Sequence, residues 1–219
     1  MKLQTVLASS AFLLIGGCAD VEAPDGCHYH GDELHCAGDE NHGLATKVMV
    51  RFRPPANTNA EEIVFVWSDP ENDGDPIVDP IVLPMTANQW TMDLEIWNEL
   101  EEPAEDVTAE IREQSNTHQL FLTGSAVSGP ATKPNADAIL EHGYVDFDAN
   151  GAPLGLSNTI DTLALGNGEL VITLRHLPAE NGESVKGSDL AETVAAEGIS
   201  AIPGSTDIEV KFDVTVVAE

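Results

Sequence analysis

Three of the seven histidines of this chain stand between two cysteines, in Cys27-His28-Tyr29-His30-Gly31-Asp32-Glu33-Leu34-His35-Cys36, and His42 follows shortly after. Imidazole nitrogen and thiolate sulfur are preferred donors for zinc, copper and nickel. His28 and His30, separated by one residue, project from the same side of an extended segment. Gly31 lets the chain turn sharply, so His35 can return to the same ion. With Cys27 and Cys36 joined in a disulfide, His28, His30 and His35 make a three-nitrogen site that Asp32 or Glu33 completes. With the disulfide reduced, the two sulfurs become ligands themselves, and the two forms exclude each other. An oxidising compartment favours the disulfide. The spacing is not that of a zinc finger or ribbon, so the signal lies in composition. The opposing reading is a stapled polar tether with incidental histidines.

Two acidic turns offer oxygen donors to calcium. Asp146-Phe147-Asp148-Ala149-Asn150-Gly151 reproduces the start of a calcium loop, but its twelfth position is Ser157 where a bidentate Glu belongs. An Asn-Gly hairpin is the competing reading. Asp69-Pro70-Glu71-Asn72-Asp73-Gly74-Asp75 packs four carboxylates into one turn, which also suits a plain strand connection. His118, after an acidic helix, and His176, at a strand end, can join Glu110 or Asp106 in a second site, although strand-end histidines are usually satisfied by ordinary hydrogen bonds. No nucleophile elbow, phosphate loop or His-Glu-x-x-His is present, and the expectation is a protein that is not an enzyme. A copper-zinc dismutase is the enzyme to test. Against it, the cluster precedes the first strand, and a tether preorganises catalysis poorly.

The elements around these residues begin with Met1-Lys2 and a mostly apolar run to Ile15, then Gly16-Gly17-Cys18. A charged start, a short apolar stretch and small residues make a secretory signal, residues 1–17. The run is shorter than the ~20 residues that a spanning helix needs. Gly16-Gly17-Cys18 resembles the lipobox of bacterial lipoproteins, which implies an acylated Cys18 as first mature residue and a membrane anchor that does not span. In such proteins an Asp after the cysteine retains the chain at the inner membrane. Ala19 stands there, which implies the outer membrane.

Against 38 acidic residues the chain has 9 Lys and Arg, a net charge of −29, and cleavage after residue 17 removes Lys2 and no acid. Such a charge excludes nucleic acid and charge-driven binding to anionic lipid, and favours solubility and the attraction of cations. Residues 18–45 read as a lipidated tether carrying the His/Cys knot. Residues 46–219 read as one all-β domain, an immunoglobulin-like sandwich of about nine short strands with one or two short covering helices. Lys47–Arg53, Gln89–Trp97 and Asp207–Val217 alternate with the period of half-buried strands. Glu62–Ser68 is a continuous apolar run and predicts a central strand. Ile77–Leu83, His118–Leu122, Ser157–Leu165 and Glu169–Leu177 are further strands. Pro103-Ala104-Glu105-Asp106 predicts the first turn of a helix, with Val107 and Ile111 on one side. Asp189…Glu192 has capping-box spacing for a second helix to Ala196.

The body also resembles a set of acidic lipoproteins of Gram-negative envelopes. The resemblance lies in Trp67-Ser68-Asp69-Pro70, Asn72-Asp73-Gly74-Asp75, Trp97-Asn98-Glu99, Pro103 to Thr108, Glu110-Ile111, His118-Gln119-Leu120-Phe121, Asp146 to Gly151 and Thr173-Leu174-Arg175-His176. It implies a single β-sandwich domain of the kind labelled periplasmic-binding-like and associated with outer-membrane receptor uptake, and it implies no catalytic residues. The combined expectation is an outer-membrane lipoprotein that captures zinc or copper through His28, His30, His35, His42, Asp32 and Glu33 and supplies an uptake receptor. The alternative is an adhesion or structural module with calcium at Asp69, Asp73, Asp75, Asp146, Asp148 and Asn150.

Overall fold

A computed structural model describes residues 27–30, 33–36, 44–54, 61–86, 89–180 and 182–218, with 27–30 and 33–36 described by backbone pairing. The chain divides into two compact units, Met1–Glu40 and Asn41–Glu219. In the first, β1 (Cys27–His30) pairs antiparallel with β2 (Glu33–Cys36). The second is mostly strand. In order it holds β3 (Lys47–Arg53), β4 (Ile63–Ser68), β5 (Ile77–Val78), β6 (Ile81–Pro84), β7 (Trp90–Asn98) and β8 (Glu105–Asp106). Then come α1 (Val107–Glu113), β9 (His118–Thr123), β10 (Val127–Ser128), β11 (Leu140–Tyr144), β12 (Ser157–Thr162), β13 (Gly166–His176), α2 (Leu190–Glu197) and β14 (Ser205–Val217).

Two sheets result. One runs β10-β11-β12-β7-β3-β4-β5, with β8 added beside β7; the other runs β6-β14-β13-β9. Alternation along the long strands explains how both feed one core. Val48, Val50 and Phe52 of β3 and Trp90, Met92, Leu94 and Ile96 of β7 meet Leu170, Ile172 and Leu174 of β13 and Phe212, Val214 and Val216 of β14 in a single buried cluster. Phe52 packs edge-on against Phe65 and Trp90. Each such side chain stabilises the fold by about 1.5–3 kcal/mol. β9 is buried on both faces. Leu120 and Leu122 enter the main core, while Phe121 joins a second cluster with Leu190, Ala191 and Val194 of α2. That double burial is why Leu120-Phe121-Leu122 does not alternate with polar residues.

Several expectations need correction. β4 is not central, because only the two-residue β5 lies outside it and Val64 is exposed. The strand expected over Ile77–Leu83 is two strands. β5 and β6 lie in different sheets, and the chain crosses between them at Asp79-Pro80. The first helix begins at Val107, not Pro103. Glu105 and Asp106 pair with β7 instead, and the Asp106 carboxylate caps the helix by accepting from the Ala109 amide at 3.2 Å. Val107 and Ile111 are buried as expected. The Thr108 hydroxyl, exchanging hydrogen bonds with the Ile96 backbone, ties α1 to β7. The second helix forms over Leu190–Glu197, but Asp189 makes no side-chain cap. The hairpin around Asn150-Gly151 shrinks to a bridge between Phe147 and Pro153, and β11 carries the pairing with β12. Among the described residues, no helix is long and apolar enough to cross a membrane.

Candidate metal centre

Three strands of the smaller sheet bring His118, His176 and Asp207 together. His118 opens β9, and the register sets it directly across from His176, the last residue of β13. β13 also pairs with β14, where Leu174 faces Ile208 and Arg175 faces Thr206. Asp207 is therefore the extra residue of a β-bulge. Bulges bend a strand and re-aim a side chain. Gly204 lets β14 start so close to β13: its φ is +82°, and a Cβ there would lie 1.9 Å from the His176 carbonyl oxygen. Arg175 fastens the same corner. The buried residue's guanidinium donates to Thr206 Oγ1 at 2.8 Å and to the carbonyls of Ile202, Pro203 and Gly204 at 3.2, 2.9 and 2.6 Å.

His118 is buried, and its Nδ1 lies 3.1 Å from the Gln114 carbonyl. A carbonyl only accepts, so Nδ1 carries the proton and the tautomer is set. Nε2 then faces Asp207 Oδ2 at 3.8 Å. This is the arrangement of metal-binding histidines, whose second ring nitrogen donates to a carbonyl or carboxylate. Gln114 is held in turn, its side-chain amide donating to Glu110 Oε1 at 3.0 Å. The His118 and His176 rings stack, with centroids 4.8 Å apart and planes within 10°. Burial pushes the Asp207 carboxyl up to about 6; the Ser205 hydroxyl and Arg175 pull it down, and Glu110 pushes it further up. A half-buried carboxylate held above its ordinary range gains from a cation placed beside it.

One ligand atom from each of the three residues lies within 4.8 Å of the others, so the group can hold a metal ion. With metal–ligand bonds of about 2.0–2.1 Å, two ligand atoms on a tetrahedral ion lie about 3.4 Å apart. His118 and Asp207 are already near that separation, and no pair has to close by more than about 1.4 Å. The in-plane lone pairs of two stacked rings lie in parallel, separate planes, so one ring must turn for both to reach one ion. His176 is the less buried of the two and has more room to turn.

The residues singled out from sequence fare unevenly. His118 and His176 meet, and Glu110 acts on Asp207 electrostatically. Asp106 is spent on capping α1. Asp207 was not anticipated, because a bulge between distant strands leaves no local trace. The hairpin register sets Cys27 opposite Cys36, His28 opposite His35 and His30 opposite Glu33. Cys18, Asp32 and His42 lie outside the described residues.

Of the calcium candidates, Asp69, Asp146 and Asp148 spend their carboxylates on backbone amides of their own loops, while Asp73, Asp75 and Asn150 are exposed. Asp148 Oδ1 accepts from the Asn150 and Ala152 amides at 2.8 and 3.0 Å, and Oδ2 sits 3.1 Å from the buried Lys186 ammonium. Lys186 also donates to the Ser115 carbonyl at 2.7 Å. Asp146 accepts from the Gly155 and Leu156 amides. Asn150 contributes its backbone amide to that turn. Asp69 closes its own turn by accepting from the Asp73 and Gly74 amides at 3.1 and 3.0 Å, and Asp73 accepts from the Asp75 amide. At Asp148 an internal ammonium takes the cation's place. No protein-family model, curated protein or solved structure matches this chain.

Proposed function

We propose that this protein is a non-catalytic, lipid-anchored metal-binding protein of the Gram-negative outer membrane, which holds zinc or copper and supplies it to an uptake receptor. The observation that carries the reading is the group His118, His176 and Asp207, with ligand atoms within 4.8 Å of one another on three adjacent strands. Two imidazoles and a carboxylate match zinc, and also suit copper(II). Three protein ligands leave a fourth position open, which a receptor's own ligand can enter during transfer. A net charge of −29 raises the local concentration of cations. The anchor rests on the Gly16-Gly17-Cys18 motif, and the outer-membrane address on Ala19. We read the two sheets as an immunoglobulin-like sandwich, a reading supported by the one core they share. The calcium alternative is weakened at Asp148, whose carboxylate already pairs with Lys186.

Calorimetric titration of the mature, unlipidated chain (C18S) with zinc and with copper(II) tests the reading. The expected result is a sub-micromolar site weakened at least tenfold by H118A and by D207A. Equal affinity in all three proteins, or no affinity in any, refutes it.

A further inference from the structure

The smaller sheet has a second face. Side chains alternate along a strand, so residues between those that enter the main core lie on the opposite side. Phe121 and Thr123 of β9 and Val171 and Thr173 of β13 are of this kind, with Thr123 opposite Val171 and Phe121 opposite Thr173. α2 covers Phe121 with Leu190, Ala191 and Val194 and ends at Gly198. Beside that end, Thr123, Val171 and Thr173 floor a cavity of about 380 Å³. Its walls are the last turn of α2 and the segment that follows β9. Small-molecule sites occupy about 300–1,000 Å³ and are mostly apolar, with a few polar groups that fix orientation.

The cavity has that composition. Val171, Val194 and Ile199 give it apolar surface. Two of its polar residues are spent on their own loop. The Thr132 hydroxyl exchanges hydrogen bonds with the Gly129 backbone, and the Asn135 side chain donates to the Ser125 carbonyl and accepts from the Asp137 amide. Those bonds fix the wall that carries Lys133. The Thr123 and Thr173 hydroxyls have no hydrogen-bond partner among the described residues, although Thr173 is only 3% exposed. A buried hydroxyl without a partner is costly, and one that opens on a cavity has room for a ligand oxygen.

Charge narrows the choice of ligand. Lys47, Arg51, Arg53, Lys186 and Lys211 each stand beside an acid. Lys133 has no such partner among the described residues, in a chain with 38 acidic side chains, and it lines the cavity. Glu209 lines it too, but is exposed and already lies 3.5 Å from Lys211. One unmatched positive charge, unpaired hydroxyls and an apolar wall suit a single carboxylate on an apolar body. A second carboxylate would find no further cation there and would meet the repulsion of the −29 net charge.

We infer that this cavity binds a small monocarboxylic acid with an apolar chain. Lys133 and an unpaired threonine hydroxyl hold the carboxylate, and the chain lies on Val171, Val194 and Ile199. The inference does not rest on the metal centre, because His118 and His176 alternate with the core-facing residues on the other face of β9 and β13.

The test uses the mature chain carrying C18S, with a chelator present. Hexanoate, hexanol and hexylamine are titrated separately, and backbone amide shifts are followed by two-dimensional NMR. Hexanoate should bind one site at least fivefold more tightly than hexanol or hexylamine, with the largest shifts at Thr123, Thr173 and Ile199. Affinity should rise about fourfold with each CH₂ added between butanoate and hexanoate. Lys133→Met keeps an apolar stem at an exposed position, so the fold survives. It should weaken hexanoate at least fivefold and leave hexanol unchanged. Arg112→Met, which removes an exposed cation that does not line the cavity, should leave both unchanged. Equal affinity for hexanoate and hexanol, full hexanoate affinity in Lys133→Met, or an equal loss in Arg112→Met would overturn the inference. So would shifts centred elsewhere, no gain with chain length, or no saturable shift from any of the acids. Because the chelator removes metal from the measurement, none of these results bears on the His118 centre.

Discussion

Replacing Asp207 by Asn should make the metal-free protein more stable and the metal-loaded protein less so. Burial raises the Asp207 carboxyl from 3.8 to about 6. Its side chain is 11% exposed, so solvent screening discounts little of this. A carboxyl raised on folding contributes fully below its unfolded value, and that contribution is lost as pH rises through about 6. Above that pH the folded, metal-free protein carries a partly buried anion at a cost of about 3 kcal/mol, at 1.36 kcal/mol per pH unit. Asn imitates the protonated form and avoids this cost. In urea denaturation with a chelator present, D207N should exceed wild type by about 2–3 kcal/mol at pH 7.5 and match it near pH 3.5. Excess zinc should reverse the order at pH 7.5, because only wild type keeps the full ligand set. Metal-free D207N that is no more stable than wild type at pH 7.5 would refute the electrostatic argument. Equal stabilisation of both proteins by zinc would refute the role of Asp207 as a ligand.

Other perturbations follow from the same geometry. Lys186→Met strands the buried Asp148 carboxylate and should cost about 3–5 kcal/mol in chemical denaturation; a loss under 1 kcal/mol would show that water reaches the pair. Gly204→Ala forces a Cβ against the His176 carbonyl at a positive φ and should cost at least about 2 kcal/mol, with metal affinity falling alongside. Full retention of both would contradict the close approach of β13 and β14. His142, buried with Nε2 2.9 Å from Asn158 Oδ1, is held neutral, and burial pulls it down to about 4. Its unfolded form binds a proton first, so it destabilises the fold as pH falls from about 6.5 to 4, by up to about 3 kcal/mol. In metal-free wild type this loss is largely offset by Asp207, which gains stability over much of the same range. In D207N it should appear uncompensated, as a clear fall in stability between pH 6.5 and 4. A flat profile in D207N would contradict it.

What the sequence disclosed, and what it hid, divides by range. β3, β7 and β14 are legible because alternating side chains meet one core on one face only, as with Trp90, Met92, Leu94 and Ile96. β4 misled because an apolar run reports hydrophobicity, not position in a sheet; its order depends on which strands arrive later. Asp79-Pro80 gave no sign that the chain changes sheets there. Pro103 and its acidic neighbours looked like a helix start, yet a tertiary partner, β7, claimed Glu105 and Asp106 first. At the centre itself, His118 and His176 stood out by residue type. Asp207 looked like one more acid in an alternating strand, since the bulge that re-aims it exists only once β13 and β14 pair.

The central claim is that a metal ion sits where β9, β13 and β14 meet. Anomalous scattering at the zinc absorption edge, from crystals of the zinc-loaded mature protein, tests it most directly. The account predicts a peak within bonding distance of His118 Nε2, a His176 ring nitrogen and an Asp207 carboxylate oxygen. Zinc density elsewhere in the folded unit, with those three residues unmoved and unliganded, would contradict it.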